Sequence, residues 1–395
     1  MSQSFITLLL ALLLGIQALA TDLYLSALPS IQSDLTATVG QVQLTLSGMM
    51  LAFGISQLFL GPLSDRFGRK PVLMWGVALF TLSSIAMTFA STIEWLITLR
   101  VLQGVGVGAA VMSGRAILRD LFLPEQGAIV MSRAFSGLGL IALSSAIVGS
   151  ASSHFLGWRS TLFLMAVFGV VLFGLLFLNF HETLQTKNLH ALKPSRMWHN
   201  WRSIAAHPTF LSYSSLSVCT FCALICFLAG SPFVFIKMLG FSKLQYGACL
   251  FFMPIAYISG TFYCRYLLKK YGLQRTVKRA MWLPLMPGLA LAGFAALGIQ
   301  TMWALLIPFY LFMIGHGVMQ SCGQTGSVAH FPEKAGVASA MNGFLMMTFA
   351  FATSLWLGAH LVDSAAPMMY GMAFYAIGAS LVASFVVPKF GKLPN

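Results

Sequence analysis

Two charged side chains stand inside otherwise apolar stretches of this sequence, and their chemistry needs an explanation. Asp22 is the only acid in the apolar body of the first hydrophobic segment, and Arg100 lies in the fourth. A carboxylate at the centre of a membrane helix costs about 2.5–3.5 kcal/mol on insertion scales, so Asp22 should face a cavity or a partner. Both residues are predicted at a depth of about 9 Å, at 1.5 Å per helical residue. This common depth predicts a proton-titrating pair or a water-linked couple.

Simpler interpretations of both residues remain open. Asp22 would then cap a frayed helix end near water, and Arg100 would extend its long side chain to the outer surface. Gln103 and Gly104 follow Arg100, and glycines alternate at 104, 106 and 108. Glycines at this spacing permit close helix approach. They do not predict a phosphate site, because no strand precedes them and no Lys-Ser/Thr follows.

A second concentration of charge occupies residues 61–70, GPLSDRFGRK, between two apolar runs. Gly61, Pro62 and Gly68 disfavour helix, which predicts a tight loop at the water edge. Its charged members are Asp65, Arg66, Arg69 and Lys70. Three of these four charges are positive, which predicts that the loop faces the cytoplasm.

The end of the fourth apolar segment is predicted to lie beside this loop. It carries Arg115, Arg119 and Asp120. An ion pair between Asp65 and Arg119 is expected here, and such a contact would hold one conformation closed on the inside. The alternative is a solvated surface pair that contributes little.

The composition is that of an all-α integral membrane protein. Of 395 residues, 58% are hydrophobic and only 8% are charged, whereas soluble domains carry about 25% charged residues. Twelve apolar runs are each long enough to cross about 30 Å of hydrocarbon as a helix. They are predicted at 5–27, 41–63, 72–91, 94–117, 127–152, 159–180, 209–236, 244–268, 278–299, 302–327, 334–361 and 367–387.

The formal charge of +14 does not indicate a nucleic-acid partner. With the N-terminus in the cytoplasm, most Lys and Arg residues fall in loops and helix ends on that side. The opposite side keeps only Arg159, Lys237 and Lys243. This asymmetry follows the positive-inside rule, so it predicts a multi-pass protein with both termini cytoplasmic.

The chain divides near its middle into two related halves. We expect an N-terminal six-helix bundle at 1–180, a cytoplasmic linker at 181–208 and a C-terminal six-helix bundle at 209–395. The basic sequence around Phe67-Gly68 has an echo about 204 positions later around Tyr271-Gly272, as expected for a parallel repeat. Within the linker, Trp198, Trp201 and Arg202 predict a short amphipathic segment on the inner leaflet.

The remaining titratable residues give weaker signals. His316 lies in the tenth apolar segment, where it is either a second titrating site or a hydrogen-bonded packing residue. Six cysteines lie within predicted helices without nearby ligand partners, so neither a metal site nor a disulfide framework is indicated. No cofactor is expected, and no nucleophile–base–orienter set predicts an enzyme.

The pattern G-x-L-x-D-R-x-G-R-K at 61–70 resembles the loop between helices 2 and 3 of major facilitator superfamily transporters. The segment Arg100-Val-Leu-Gln-Gly and the twelve helices in two halves agree with that resemblance. Residues 20–29 (ATDLYLSALP), 230–233 (GSPF) and 335–340 (AGVASA) are similar to the Bcr/CflA branch of proton-coupled drug exporters. Nearly the whole chain is covered.

This resemblance implies export of amphiphilic small molecules in exchange for protons across the inner membrane of a bacterium. We expect a monomer whose partners are the small-molecule substrate, protons and the lipid bilayer. Asp22 matches the helix-1 acid that takes up the proton, and Arg100 matches the helix-4 arginine that tunes it. Tyr24, Gln103 and Gly104 are expected to line the cavity or to belong to the helix-4 motif. Two features depart from the family pattern. Residues 143–147 (LSSAI) lack the Gly-Pro of antiporter helix 5, and Leu14 and Gly15 occupy the region of a second helix-1 acid.

The direction of transport therefore stays open at this point. The alternatives are an importer, or a dedicated exporter of one metabolite such as a siderophore or sugar. A membrane receptor or scaffold that transports nothing is the rival from another class. It predicts no proton movement on ligand addition and no need for Asp22 or Arg100.

Overall fold

The computed structural model describes residues 2–122, 124–361 and 363–391 and forms two helical units, Met1–Trp198 and His199–Asn395. The first unit contains six long helices and a short α2 (Leu28–Asp34) after the first of them. The long helices are α1 (Gln3–Leu25), α3 (Val39–Phe67), α4 (Arg69–Thr88), α5 (Ile93–Leu121), α6 (Pro124–Phe155) and α7 (Arg159–Asn179). Within this unit α1 packs against α6 and α5, and α5 also packs against α3 and α4.

A short helix, α8 (Pro194–Ala205), lies at the boundary of the two units. Its Trp198 is exposed and its Ile204 is buried. The predicted amphipathic segment of the linker is therefore a helix.

The second unit repeats the pattern of long helices. α9 (Pro208–Pro232) continues as a π-helical segment, Phe233–Met238, and α14 (Ala366–Leu381) continues through a similar segment, Val382–Val386, into α15 (Val387–Phe390). Between them lie α10 (Lys243–Arg279), α11 (Trp282–Ala296), α12 (Met302–Val328) and, after a 3-10 turn at Pro332–Lys334, α13 (Ala335–His360).

The expected number of membrane spans agrees with these helices. The described residues contain 11 helical stretches that are long and apolar enough to cross a bilayer, and one of them, Lys243–Ala296, is 54 residues long. That stretch covers two of the predicted spans, so the helices account for all twelve.

The predicted loop at 61–70 is wrong in its extent. α3 continues through Pro62 to Phe67, and only Gly68 separates it from α4. Pro62 cannot donate to the carbonyl one turn before it, but the helix tolerates this single loss. The reversal is left to Gly68, whose φ of 112° is disfavoured for any residue with a Cβ.

The echo predicted 204 positions later is present in the backbone. Gly272 interrupts α10 with φ 69° and ψ 175°, beside φ 112° and ψ 159° at Gly68. Each unit therefore has a positive-φ glycine in a corresponding place: Gly68 follows α3 in the first unit, and Gly272 interrupts α10 in the second. This shared feature supports a parallel repeat.

The alternating glycines of α5 lie where helices approach most closely. A Cβ at Gly104 would clash with the backbone of Met49 in α3, whereas one at Gly106 would clash with the backbone of Gly76 and Phe80 in α4. Residues two apart point to opposite sides of a helix, so alternate glycines let α5 approach two neighbours at once. In the second unit Gly315 and Gly317 divide in the same way between α11 and α10.

Replacing Gly104 with alanine should therefore destabilise the first unit. The added methyl group meets backbone rather than a flexible side chain, and overpacking of this kind costs about 1–3 kcal/mol. We expect a lower thermal unfolding temperature for purified Gly104→Ala. Gly174→Ala in α7 is the matched control, because no atom lies within 4 Å of its added Cβ. An unchanged unfolding temperature for Gly104→Ala would contradict the close α3–α5 approach.

Candidate functional site

Arg100 is completely buried in the first unit, and its guanidinium contacts groups from α1, α3 and its own helix, α5. Its Nη1 donates to the carbonyl of Ala20 in α1 at 3.1 Å and to Oε1 of Gln103 in its own helix at 2.6 Å. The guanidinium carbon lies 3.6 Å from the centre of the Tyr24 ring, in cation–π contact. The sulfur of Met49 in α3 lies 3.5 Å from Nη1. The buried guanidinium is thus surrounded by polar and polarisable groups, and no carboxylate contacts it in the described part of the chain.

Two residues extend this arrangement to further helices. The hydroxyl of Tyr24 donates to Oγ1 of Thr45 in α3 at 2.8 Å. The amide of Gln103 donates to Oγ of Ser84 in α4 at 2.8 Å. The hydrogen bonds and ring contact around Arg100 therefore join α1, α3, α4 and α5, and Gly104 lets α5 come close enough to α3 for them to form.

The expected ion pair between Asp22 and Arg100 is not formed. Among the described residues, no carboxylate oxygen lies within 4.0 Å of Arg100, and its Nε and Nη2 have no hydrogen-bond partner. Asp22 itself is buried, with 8% of its surface exposed. The sequence predicted that both residues lie at the same depth in the membrane. Equal depth does not determine whether two side chains lie on facing sides of their helices.

The face of α1 explains why they do not meet. Ala20 and Tyr24 are four residues apart and share the face that holds Arg100, whereas Asp22 is two residues from each and points to the opposite side. By helical register Asp22 shares a stripe with Ala11 and Gly15, both of which pack against α6. Arg100 is thus contacted by Ala20 and Tyr24, which lie two positions before and two positions after Asp22 in the sequence.

His316, the other candidate titrating residue, is buried in the second unit between aromatic rings. Its Nδ1 lies 2.5 Å from Oγ1 of Thr220 in α9, and the rings of Tyr257 and Phe312 are 5.6 and 5.9 Å away between centroids. This environment favours the hydrogen-bonded packing residue over the titrating site.

The charged cluster at residues 64–70 forms around a different arginine from the one expected. Arg69, the first residue of α4, reaches Oδ1 of Asp65 at 2.6 Å and Oδ2 of Asp120 at 2.8 Å. It also donates to Oγ of Ser64 at 2.8 Å. Arg119 is exposed, so the predicted Asp65–Arg119 pair is wrong and Arg69 is the cation that connects α3 to α5. Arg66 lies beside Phe67, 5.4 Å from the centre of its ring.

Glu182 completes this cluster and was missed by the sequence analysis. Its carboxylate accepts from the backbone N–H groups of Arg69 and Lys70 at 2.9 and 3.1 Å, and from those of Thr183 and Leu184 at 3.0 Å each. It therefore caps the N-terminus of α4, where two N–H groups have no helical acceptor. The linker is also attached through the N–H of Asn188, which donates to the carbonyl of Asp65 at 3.0 Å.

No pattern in the sequence identifies Glu182 for this role. The only available signal is that the first turn of α4 needs acceptors and contains no acid of its own. Which of the distant carboxylates supplies them depends on how the chain returns after α7, and a separation of 113 residues carries no local trace of that contact.

The fold and its charges define a class of protein: a polytopic helical membrane protein built from two repeated bundles with a buried cation in the first. The major facilitator superfamily model matches residues 10–355. The chain belongs to the major facilitator superfamily, which consists of transporters, so it is a multi-pass membrane transporter rather than an enzyme.

Known proteins that are similar to this chain agree with that family. A bicyclomycin resistance protein homolog of Haemophilus influenzae is 26% identical and covers 99% of this chain and 98% of its own length. Multidrug resistance protein D of Escherichia coli is 28% identical over 86% of this chain and 84% of its own length. These relatives agree with the Bcr/CflA-type branch that the motifs predicted. Among solved structures, a D-xylose–proton symporter has a TM-score of 0.78 at 16% identity, with full coverage of both chains, which shows the fold alone.

The capping role of Glu182 predicts a pH-dependent stability. Burial alone would raise the pKa of Glu182, but the four N–H groups hold it below its ordinary value of 4.5. A carboxyl group with a lowered pKa stabilises the folded state above the unfolded-state pKa, and this contribution is lost as the pH falls through the folded-state pKa. We therefore expect the unfolding temperature of wild type to exceed that of Glu182→Gln above pH 4.5, with the difference shrinking at lower pH.

Glu333→Gln is the control for this experiment, because Glu333 is exposed in a turn of the second unit. Its effect should be small at every pH. Equal unfolding temperatures of wild type and Glu182→Gln at neutral pH would exclude a capping role for Glu182.

Proposed function

We propose that this protein exports amphiphilic drugs and related small molecules across the bacterial inner membrane in exchange for protons. The observation that carries this proposal is the position of Asp22. Asp22 is buried in α1, with 8% of its surface exposed. The other acids whose exposure the structure describes are exposed or only partly buried: Asp34, Asp65, Glu94, Asp120, Glu182, Glu333 and Asp363. The two bacterial relatives, with names that refer to bicyclomycin and multidrug resistance, support the substrate class.

The physical argument is the cost of an unpaired charge in hydrocarbon. Asp22 has no cation within 4.0 Å in the described structure, and a buried carboxylate without a partner is much less favourable than a neutral carboxyl group. Arg100 meanwhile is occupied by Ala20, Gln103 and Tyr24. We therefore assign this arrangement to the protonated form of Asp22.

In this proposal the proton and the substrate compete for the carboxyl group of Asp22, and this competition couples proton entry to export. Loss of the proton leaves a charge that a rearranged Arg100 or a bound substrate must compensate. Because proton and substrate favour different conformations, each can drive the change that releases the other. In this scheme the protein alternates between outward-open and inward-open conformations, with both termini in the cytoplasm. The Arg69 cluster, rather than an Asp65–Arg119 pair, stabilises the outward-open form.

A second candidate is an importer or a dedicated exporter of a single metabolite, such as a siderophore or sugar. The sequence 143–147 (LSSAI), without the antiporter Gly-Pro, is the observation that favours it. Intact cells distinguish the two directions, because an exporter lowers and an importer raises the cellular content of the same labelled compound.

Proton-coupled export predicts a specific defect for Asp22→Asn. Asparagine keeps the size of the side chain but cannot release a proton. In everted membrane vesicles energised with a proton gradient, we expect drug-induced proton flux through the variant to fall to background. Glu94→Gln, which neutralises an exposed acid in the first turn of α5, should retain the wild-type flux. Unimpaired coupling in Asp22→Asn would remove Asp22 from the mechanism.

A further inference from the structure

Two buried carboxamides in the second unit have hydrogen-bonding capacity that the protein does not use. Gln320 in α12 and Asn342 in α13 are 6% and 3% exposed. Each directs its NH2 group to the sulfur of Met346, at 3.5 Å from Gln320 and 3.8 Å from Asn342. Both amide oxygens, Oε1 of Gln320 and Oδ1 of Asn342, lack a partner in the described structure. Helices α12 and α13 thus each place a carboxamide with an unsatisfied oxygen beside the sulfur of Met346.

This arrangement is a poor way to stabilise a helix interface. A thioether is a weak acceptor, and a buried carbonyl without a donor loses the hydrogen bonds it had with water. Two apolar side chains of the same shape would pack here at lower cost. Buried polar groups without partners in a folded protein are uncommon, and each calls for an explanation.

His316 provides the contrast within the same helix. It lies one turn before Gln320, and its Nδ1 is paired with Thr220. Packing therefore accounts for His316 but not for Gln320 and Asn342.

The surroundings indicate what kind of group would satisfy the two oxygens. Met346 packs with Val218 and Cys222 of α9, and Tyr375 of α14 lies against this apolar cluster. The acids of this unit are Glu333, in a turn, and Asp363, in a connecting segment. A donor that bound here would meet amide oxygens, a thioether and apolar walls, without a carboxylate to compensate a positive charge.

We propose that Gln320 and Asn342 form a substrate subsite that accepts hydrogen bonds from the N–H or O–H groups of an uncharged amphiphile, with Met346 against its apolar part. This inference rests on the proposed export function and adds the substrate class to it. Compounds with neutral donors gain affinity from the subsite. Compounds without donors, such as quaternary phosphonium ions, are recognised by other parts of the protein.

The test compares two compounds that differ in donors. Bicyclomycin is neutral and carries amide N–H and hydroxyl groups, whereas tetraphenylphosphonium has no hydrogen-bond donor. Gln320→Met and Asn342→Leu remove the amides while keeping approximate size. The matched control is Gln324→Met, because Gln324 is an exposed amide one turn further along α12. Resistance of an efflux-deficient host is measured for each variant, together with the unfolding temperature of the purified protein.

We expect Gln320→Met and Asn342→Leu each to lower bicyclomycin resistance by about tenfold, the ratio that one well-placed hydrogen bond supplies. Resistance to tetraphenylphosphonium should stay within about twofold of wild type, since no donor is lost there. The unfolding temperatures should equal or exceed that of wild type, because an unsatisfied buried group has been removed. Gln324→Met should behave as wild type with both compounds.

Three outcomes would overturn the subsite. In the first, the variants lose resistance to both compounds equally and unfold at a lower temperature. In the second, both variants keep the wild-type resistance to bicyclomycin, and in the third, the wild-type protein protects against tetraphenylphosphonium but not against bicyclomycin. A wild-type protein that protects against neither compound would instead contradict the export function. In that case bicyclomycin is titrated against purified wild type and variants, and equal affinities would reject the subsite as well.

Discussion

A charge inside hydrocarbon must be compensated by the protein itself, and the first bundle is arranged around that constraint. Arg100 is fully buried, yet its contacts are a backbone carbonyl, a carboxamide, an aromatic face and the thioether sulfur of Met49. These groups come from α1, α3 and α5, and they reach the guanidinium because glycines allow the helices to approach closely. Since this compensation uses no carboxylate, Asp22 is left to gain or lose a proton independently of an ion pair. The proposed coupling depends on that separation.

The two bundles place their charges differently although they share a fold. At Gly68 the first bundle gathers Arg69, Asp65, Asp120 and Glu182 into a closed set of ion pairs and capping hydrogen bonds. At Gly272 the described contacts use other chemistry: Arg279 lies over the ring of Tyr271, and Gln274 donates to two carbonyl groups at the end of the chain. A shared backbone conformation is therefore stabilised by ionic contacts in one repeat and by neutral and cation–π contacts in the other.

Features that follow from local chemistry could be predicted from the sequence, and features that depend on helix faces could not. Apolar length identified the spans, and the Gly68–Gly272 echo identified the repeat. In contrast, the predicted Asp22–Arg100 pair used depth alone and ignored that Asp22 and Tyr24 lie on different faces of α1. The Asp65–Arg119 pair was predicted with a loop at residues 61–70, whereas α3 continues to Phe67 and Arg69 binds Asp65 four residues before it. Glu182 was missed because its contact with α4 is determined by the return of the linker.

Competition between a proton and the substrate for the carboxyl group of Asp22 can be measured as proton release by the purified, detergent-solubilised protein. A pH-sensitive dye in weakly buffered solution would follow the addition of tetraphenylphosphonium. We expect the release of about one proton per wild-type molecule and none from Asp22→Asn, as expected for a single titrating site. Binding without proton release from wild type, or equal release from Asp22→Asn, would show that Asp22 does not couple the proton to the substrate.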